Sequence, residues 1–192
     1  MTNVTFASLR AALGARTPVR IDDPIAAQAA VALVLIAEAD DLAALFIRRA
    51  EFSGDPWSGH MALPGGRRHA ADRDPLMTAI RETREETGIL LEESDYLGEL
   101  DDFTPRVQTL PRIVVRPHVF GLKKRPAVTL SDEVAGFVWL TVTELRSSYR
   151  EVDVQVRGAT MRVQAFVSGP NVVWGLTERI VSPFIHLLDT IR

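Results

Sequence analysis

Asp74-Pro75-Leu76-Met77-Thr78-Ala79-Ile80-Arg81-Glu82-Thr83-Arg84-Glu85-Glu86-Thr87-Gly88 is the stretch on which the fold of this chain turns. It reads as one helix. Asp74 suits the cap, Pro75 the first helical position and Gly88 the left-handed stop. Leu76, Ile80, Thr83 and Thr87 follow the i, i+4, i+7, i+11 spacing and form the expected buried stripe. Glu82, Glu85 and Glu86 then point outward, within about one quadrant of the helix. They crowd its last two turns, where the dipole disfavours negative charge, and they repel one another. Arg81 lies four residues before Glu85 and can hold that carboxylate. Carboxylates set against local electrostatics call for a compensating partner. Oxygen ligands on a rigid element suit a hard cation, Mg2+ or Mn2+. With four His and no Cys in the chain, zinc fits less well.

Upstream, Ala29–Ile36 is a continuous apolar strand, Glu38–Asp41 a turn, and Leu45–Arg49 the return strand of a hairpin. A long loop from Ala50 to His60 leads to a short strand ending at Leu63 and to the Pro64-Gly65-Gly66 loop. Such a loop inside a compact domain is usually functional. Glycines at 65 and 66 allow a sharp turn and close approach to a ligand, and a carbonyl there would complete a cation shell. Downstream, Tyr96–Leu100, Ile113–Phe120 and Val134–Leu140 read as strands, with a polar loop between Asp101 and Arg106. Thr141 or Thr143 caps a short helix, and Val152–Val156 with Ala159–Phe166 form a hairpin around Arg157-Gly158. Phe6–Leu13 is a short helix. Trp174–Ile191 is an amphipathic terminal helix with Leu176, Ile180 and Phe184 on one side and Pro183 as a kink or restart. This mixture predicts an α/β class with a mixed sheet between helices. We expect one domain over 1–192, with an N-terminal extension over about 1–28 and the C-terminal helix over about 172–192.

The 192 residues, 46% hydrophobic and 24% charged, are those of an ordinary globular protein. A net charge of −3 gives no general attraction to nucleic acid or anionic membrane. The absence of cysteine excludes disulfides, thiolate metal sites and Cys nucleophiles. No leader is visible at the N-terminus, and the longest apolar run is too short to span a bilayer. The expected setting is cytoplasmic, and the expected partner a small-molecule nucleotide.

Gly65-Gly66 followed by Arg81-Glu82-Thr83-Arg84-Glu85-Glu86-Thr87-Gly88-Ile89 resembles the box of the Nudix hydrolases, G-x5-E-x7-R-E-U-x-E-E-x-G-U with U apolar. The R-E-x-x-E-E-x-G core is complete. The resemblance implies an α/β/α sandwich and hydrolysis of a diphosphate linkage with Mg2+ or Mn2+. It implies Glu82, Glu85, Glu86 and Gly65 as metal ligands, and Glu82, Arg81 and Glu85 as catalytic residues. There are three departures. Gly66 to Arg81 is fifteen steps where the box has fourteen. Arg73, flanked by Asp72 and Asp74, stands where the first glutamate is expected. Thr83 fills an apolar slot.

Leu45-Phe46-Ile47-Arg48-Arg49-Ala50, with Gly59 and Leu63-Pro64-Gly65-Gly66, is similar to the upstream motif of the coenzyme A diphosphatase branch, L-L-T-x-R-S-x3-R-x3-G-x3-F-P-G-G. Ala29-Ala30-Val31-Ala32 and Trp174-Gly175-Leu176-Thr177 are similar to other features of that branch. The second arginine of its motif has no counterpart, the matching region being Ser53-Gly54-Asp55. The implied substrate is coenzyme A or acyl-coenzyme A, giving 3′,5′-ADP and 4′-phosphopantetheine. ADP-ribose, dinucleoside polyphosphates and oxidised nucleotides stay open, as does a nucleotide-binding sensor without turnover. Arg49, Gly66 and Arg67 are the candidate substrate contacts. Glu133, and behind it Asp101 and Asp102, are further candidates for a base or ligand. Trp57 and His60 read better as packing groups than as chemistry.

Overall fold

The computed structural model describes residues 4–52, 58–105, 112–156 and 158–191. The apolar run becomes β1 (Ala27–Glu38) and its hairpin partner β2 (Asp41–Arg49), joined through Ala39 at φ 47. β1 is central because it is apolar on both faces. It pairs antiparallel with β2 from Leu35 to Glu38 and in parallel with β6 (Ile113–Leu122) along ten positions, from Ala27↔Ile113 to Ile36↔Leu122. β5 (Tyr96–Glu99) borders β6, and β7 (Val134–Thr141) borders β2.

Where β1 and β2 diverge, one segment bridges them. β3 (Met61–Ala62) pairs with β2 and β4 (Gly65–Arg67) with β1, while the Pro64 carbonyl accepts the Ala32 N–H at 2.8 Å. Gly65 and Gly66, expected in a loop, are therefore strand residues. Their backbone continues the ladder because β1 offers an edge there.

One face of this mixed sheet carries α2 (Pro75–Thr87). On the other face, α1 (Phe6–Gly14), α3 (Val142–Ser148) and α4 (Gly175–Thr190) close the main core, together with a second antiparallel sheet. That sheet is β8 (Tyr149–Val156), β9 (Ala159–Ser168) and β10 (Asn171–Trp174). Thr141, not Thr143, caps α3, with its side chain accepting the Glu144 N–H. β10 was not expected from sequence. It is four residues long and pairs with β9 across a turn at Gly169 (φ 56). Pro183 lies inside α4, whose Ile180, Phe184 and Leu188 are buried. Leu9 and Leu13 of α1 are buried in the same core, and a Cβ on Gly98 would lie 2.6 Å from the Leu13 Cβ. Among the described residues, no helix is long and apolar enough to cross a membrane.

Candidate active site

α2 begins and ends as its sequence dictates. Asp74 accepts the Met77 N–H, and Gly88 closes the helix at φ 70. Two of its last carbonyls, Glu86 and Thr87, accept the N–H groups of Ser131 and Thr129. Thr83, the polar residue in an apolar slot, is fully buried and satisfies its hydroxyl on the Ala79 carbonyl at 2.7 Å.

β4 runs beside the helix at backbone distance. Gly65 sits at φ 151, and a Cβ there would meet the Ala30 carbonyl at 2.3 Å. A Cβ on Gly66 would lie 2.5 Å from Cδ of Glu82. Both positions therefore exclude a side chain, and Gly66 brings the Glu82 carboxylate against the strand.

Glu86 departs from expectation. Helical spacing predicts an outward-facing side chain, yet Glu86 is 4% exposed, with Oε2 accepting the Gly65 N–H at 2.8 Å. The approach of β4 turns this side chain inward. Burial pushes its pKa up to about 8. The Gly65 hydrogen bond and Arg49 oppose the rise, whereas Glu82 and Glu133 add to it. Glu82 is also raised, first by burial, with Arg81 opposing and Glu85 contributing. Glu85 is largely exposed.

Arg81 ties the cluster together. Its Nη1 lies 2.9 Å from Glu82 Oε1 and donates to Glu85 Oε2 at 2.9 Å, the i,i+4 pair expected from sequence. Its buried partner is one that sequence reasoning missed. Nε and Nη2 form a fork to Asp72, both at 2.9 Å. Asp72 is buried and also accepts from Thr78 Oγ1 and the His69 N–H. The Arg81 hydrogen bonds, aided by those donors, hold Asp72 far below the ordinary carboxylate range against the cost of burial. The signal was present in the spacing. Asp72 lies six residues after Gly66, the distance the box sets for its first acid. The extra residue therefore falls between acid and arginine, not before the acid.

Arg49 ends β2 on the α2 side of the sheet, and its charge acts on Glu86. Glu133 is exposed, acts on the same carboxylate, and accepts the Ala50 N–H through its carbonyl. Arg67 is exposed at the end of β4 and offers its carbonyl to Arg81. His60 packs against Trp174 with the rings tilted at 58° and their centroids 4.7 Å apart. Asp101 and Asp102 stand apart, engaged with the N-terminal segment. Asp102 holds Arg116, Arg20 and the Ile21 N–H, and Asp101 holds Arg16 and the Val19 N–H. Trp57 and Ser53-Gly54-Asp55 lie outside the described residues.

Among the described residues, no three carboxylate or imidazole groups converge as a closed cation cage. Glu82 and Glu85 are turned to Arg81, and Glu86 to Gly65. The donor chemistry nonetheless suits a hard divalent cation: carboxylate oxygens, two of them desolvated, beside a glycine backbone.

A glutamate-bearing helix locked by an arginine against a Gly-Gly strand, in a mixed sheet between helices, defines an α/β/α sandwich of the Nudix type. The chain belongs to the Nudix family: the model of the NUDIX domain matches residues 26–158. It is 31% identical over 128 residues to the uncharacterized Nudix hydrolase NudL of Photorhabdus laumondii, covering 65% of this chain and 66% of that protein. It is 32% identical over 134 residues to the human mitochondrial coenzyme A diphosphatase NUDT8, covering 68% of this chain and 56% of that protein. Within the family it thus resembles the coenzyme A diphosphatase branch. The chain spans less than two thirds of either relative's own length. A MutT/nudix family protein from Enterococcus faecalis shares the fold, with a TM-score of 0.61 at 18% identity over 98% of this chain and 71% of that one.

Proposed function

We propose that this protein is a metal-dependent hydrolase that cleaves the diphosphate linkage of a nucleoside diphosphate derivative. Coenzyme A or acyl-coenzyme A is the leading substrate. The observation that carries the reading is Glu86: a buried carboxylate, driven toward protonation by burial, beside Glu82 at a glycine strand. Such a site costs free energy that a divalent cation would offset.

Glu82, Glu85 and Glu86, with the Gly65 backbone, would hold Mg2+ or Mn2+. The bound ion would supply charge neutralisation at the diphosphate and Lewis acidity toward water. The chain's own residues do the rest. Asp72 fixes Arg81, and Arg81 orients Glu82 and Glu85. Gly66 leaves room for the diphosphate to approach. Arg49 and Arg67 present positive charge to its oxygens. Glu82, partly desolvated and already raised in pKa, is the proposed acceptor for the proton of the attacking water, and Glu133, whose charge acts on Glu86, is the second candidate. The named activity of the human relative favours coenzyme A. The compartment belongs to the proposal as well: a cysteine-free chain suits a reducing cytosol, whereas that relative is named mitochondrial.

The test is a Mg2+- and Mn2+-dependent screen of coenzyme A, acyl-coenzyme A, ADP-ribose and diadenosine polyphosphates, with products identified by mass. Coenzyme A should yield 3′,5′-ADP and 4′-phosphopantetheine. Glu86→Gln and Glu85→Gln should each lower turnover about a hundred-fold or more while the protein stays folded. Wild-type turnover in both variants would remove the proposed site. Binding of these compounds without cleavage at any metal concentration would make the protein a sensor instead.

A further inference from the structure

α2 lies over β1, β4 and β6. Farther across the sheet, β3, β2 and β7 run side by side, with Ala62, Ile47 and Phe137 in one row. Residues directly opposed on neighbouring strands share a face. One step along, Leu45 opposes Trp139, and both belong to the core cluster beneath α2 with Ala79. Side chains alternate along a strand, so Ile47, Arg49 and Phe137 stand on the face that carries α2. Ile47 is 1% exposed, whereas Phe137 is 44% exposed. Diagonal neighbours across a ladder lie about 7–8 Å apart, which puts Phe137 within reach of Arg49, the residue whose charge acts on Glu86. The β2–β7 register shifts between Arg48 and Arg49, beside this pair. Bulges at such places re-aim side chains.

A half-exposed phenylalanine elsewhere on the surface would need no explanation. This one shares the α2 face of the sheet with Arg49, whose charge acts on Glu86, and so stands on the same side as the carboxylates. We propose that Phe137 is the stacking platform for the nucleobase of the substrate. The inference rests on the reading of this face as a nucleotide hydrolase site. With the diphosphate at Arg49 and the carboxylates, a base carried on the attached ribose would extend toward the edge strand, where Phe137 is 44% exposed. Stacking on one ring is tolerant of base identity because every base has a π-face. The platform therefore selects for a planar base and not for a particular one.

The experiment titrates full-length protein in Mg2+ with two probes, 5′-AMP and inorganic pyrophosphate. The proteins compared are wild type, Phe137→Ala, Phe137→Tyr and Met161→Ala, the last removing an equally exposed side chain from β9. Phe137→Ala should weaken 5′-AMP about ten-fold or more and leave pyrophosphate unchanged. Phe137→Tyr should restore 5′-AMP binding, and Met161→Ala should match wild type for both probes. Equal 5′-AMP affinity in wild type and Phe137→Ala overturns the platform while the hydrolase reading stands. A parallel loss of pyrophosphate also overturns it, because the ring would then act through the local structure of the sheet. If wild type binds neither probe and cleaves none of the screened compounds, both readings fall together.

Discussion

The face of the central sheet covered by α1, α3, α4 and the second sheet is closed by Leu9, Leu13, Leu145, Phe166, Phe184 and Leu188, and the buried carboxylate of Glu178 there accepts the Tyr149 hydroxyl. The face covered by α2 is closed by smaller residues, Ala79, Thr83 and Thr87, and beneath and beside them lie Asp72, Glu86 and His118, all buried. Burial on the first face stabilises the fold. Burial on the second raises the free energy of charged groups, and the first face has to offset that cost. The protein thus separates its stability from its chemistry by the thickness of one sheet.

The largest effect should come from the apolar face. Phe184→Ala should cost about 3–5 kcal/mol of unfolding free energy in denaturant titrations. The folded fraction should keep its hydrolytic rate per molecule. A lowered rate in fully folded Phe184→Ala would show that the two faces are coupled.

On the other face, Asp72→Ala leaves Arg81 without its buried fork. We expect a loss of about 3 kcal/mol together with a 10–100-fold drop in activity. A variant that loses stability but not activity would make the Asp72–Arg81 pair a scaffold only.

The smallest effect is a pH dependence with two opposing parts. His118 is 3% exposed, neither ring nitrogen has a hydrogen-bond partner among the described residues, and burial lowers its pKa to about 4. Between pH 6.5 and 4 the unfolded chain takes up this proton and the folded chain does not. Stability from His118 is therefore complete above 6.5 and is lost as pH falls toward 4, by about 1.4 kcal/mol per unit at the steepest. Glu86 has the opposite sign. With its folded pKa pushed up to about 8, the metal-free folded protein binds a proton that the unfolded chain does not, and stability rises as pH falls from 8 toward 4.5. Denaturant midpoints of metal-free Glu86→Gln across pH 4–8 should fall more steeply toward acid than those of wild type. His118→Phe should flatten that fall. Identical profiles in all three would deny that either group titrates as its burial dictates.

What the sequence disclosed divides along the same line. Elements set by local rules were legible: α2 from its cap, Pro75, Gly88 and acid cluster, the β1–β2 hairpin from its apolar runs, α4 from its spacing. The pairing of Arg81 with Glu85 was legible for the same reason. What escaped depends on residues far apart in the chain. The inward turn of Glu86 is set by Gly65, twenty-one positions away, and not by its place on the helix. The strand character of Gly65–Arg67 depends on an edge offered by β1, and a β10 of four residues has too few positions to display a period. Asp72 is an instructive miss, because counting back from Arg81 hid an acid that counting forward from Gly66 finds.

The parallel alignment of β1 with β6 joins residues eighty-six positions apart, as in Ala27↔Ile113. Contacts of such high order form late, since the chain must first pay the entropy of closing a long loop. β4 docks on the very stretch of β1 that β6 borders, Ala29 to Val31. A molecule in which β4 has not docked lacks the Gly65 N–H that turns Glu86 inward. The raised proton affinity of Glu86 depends on that docking and on burial beneath it, which makes it a reporter of whether β4 is in place.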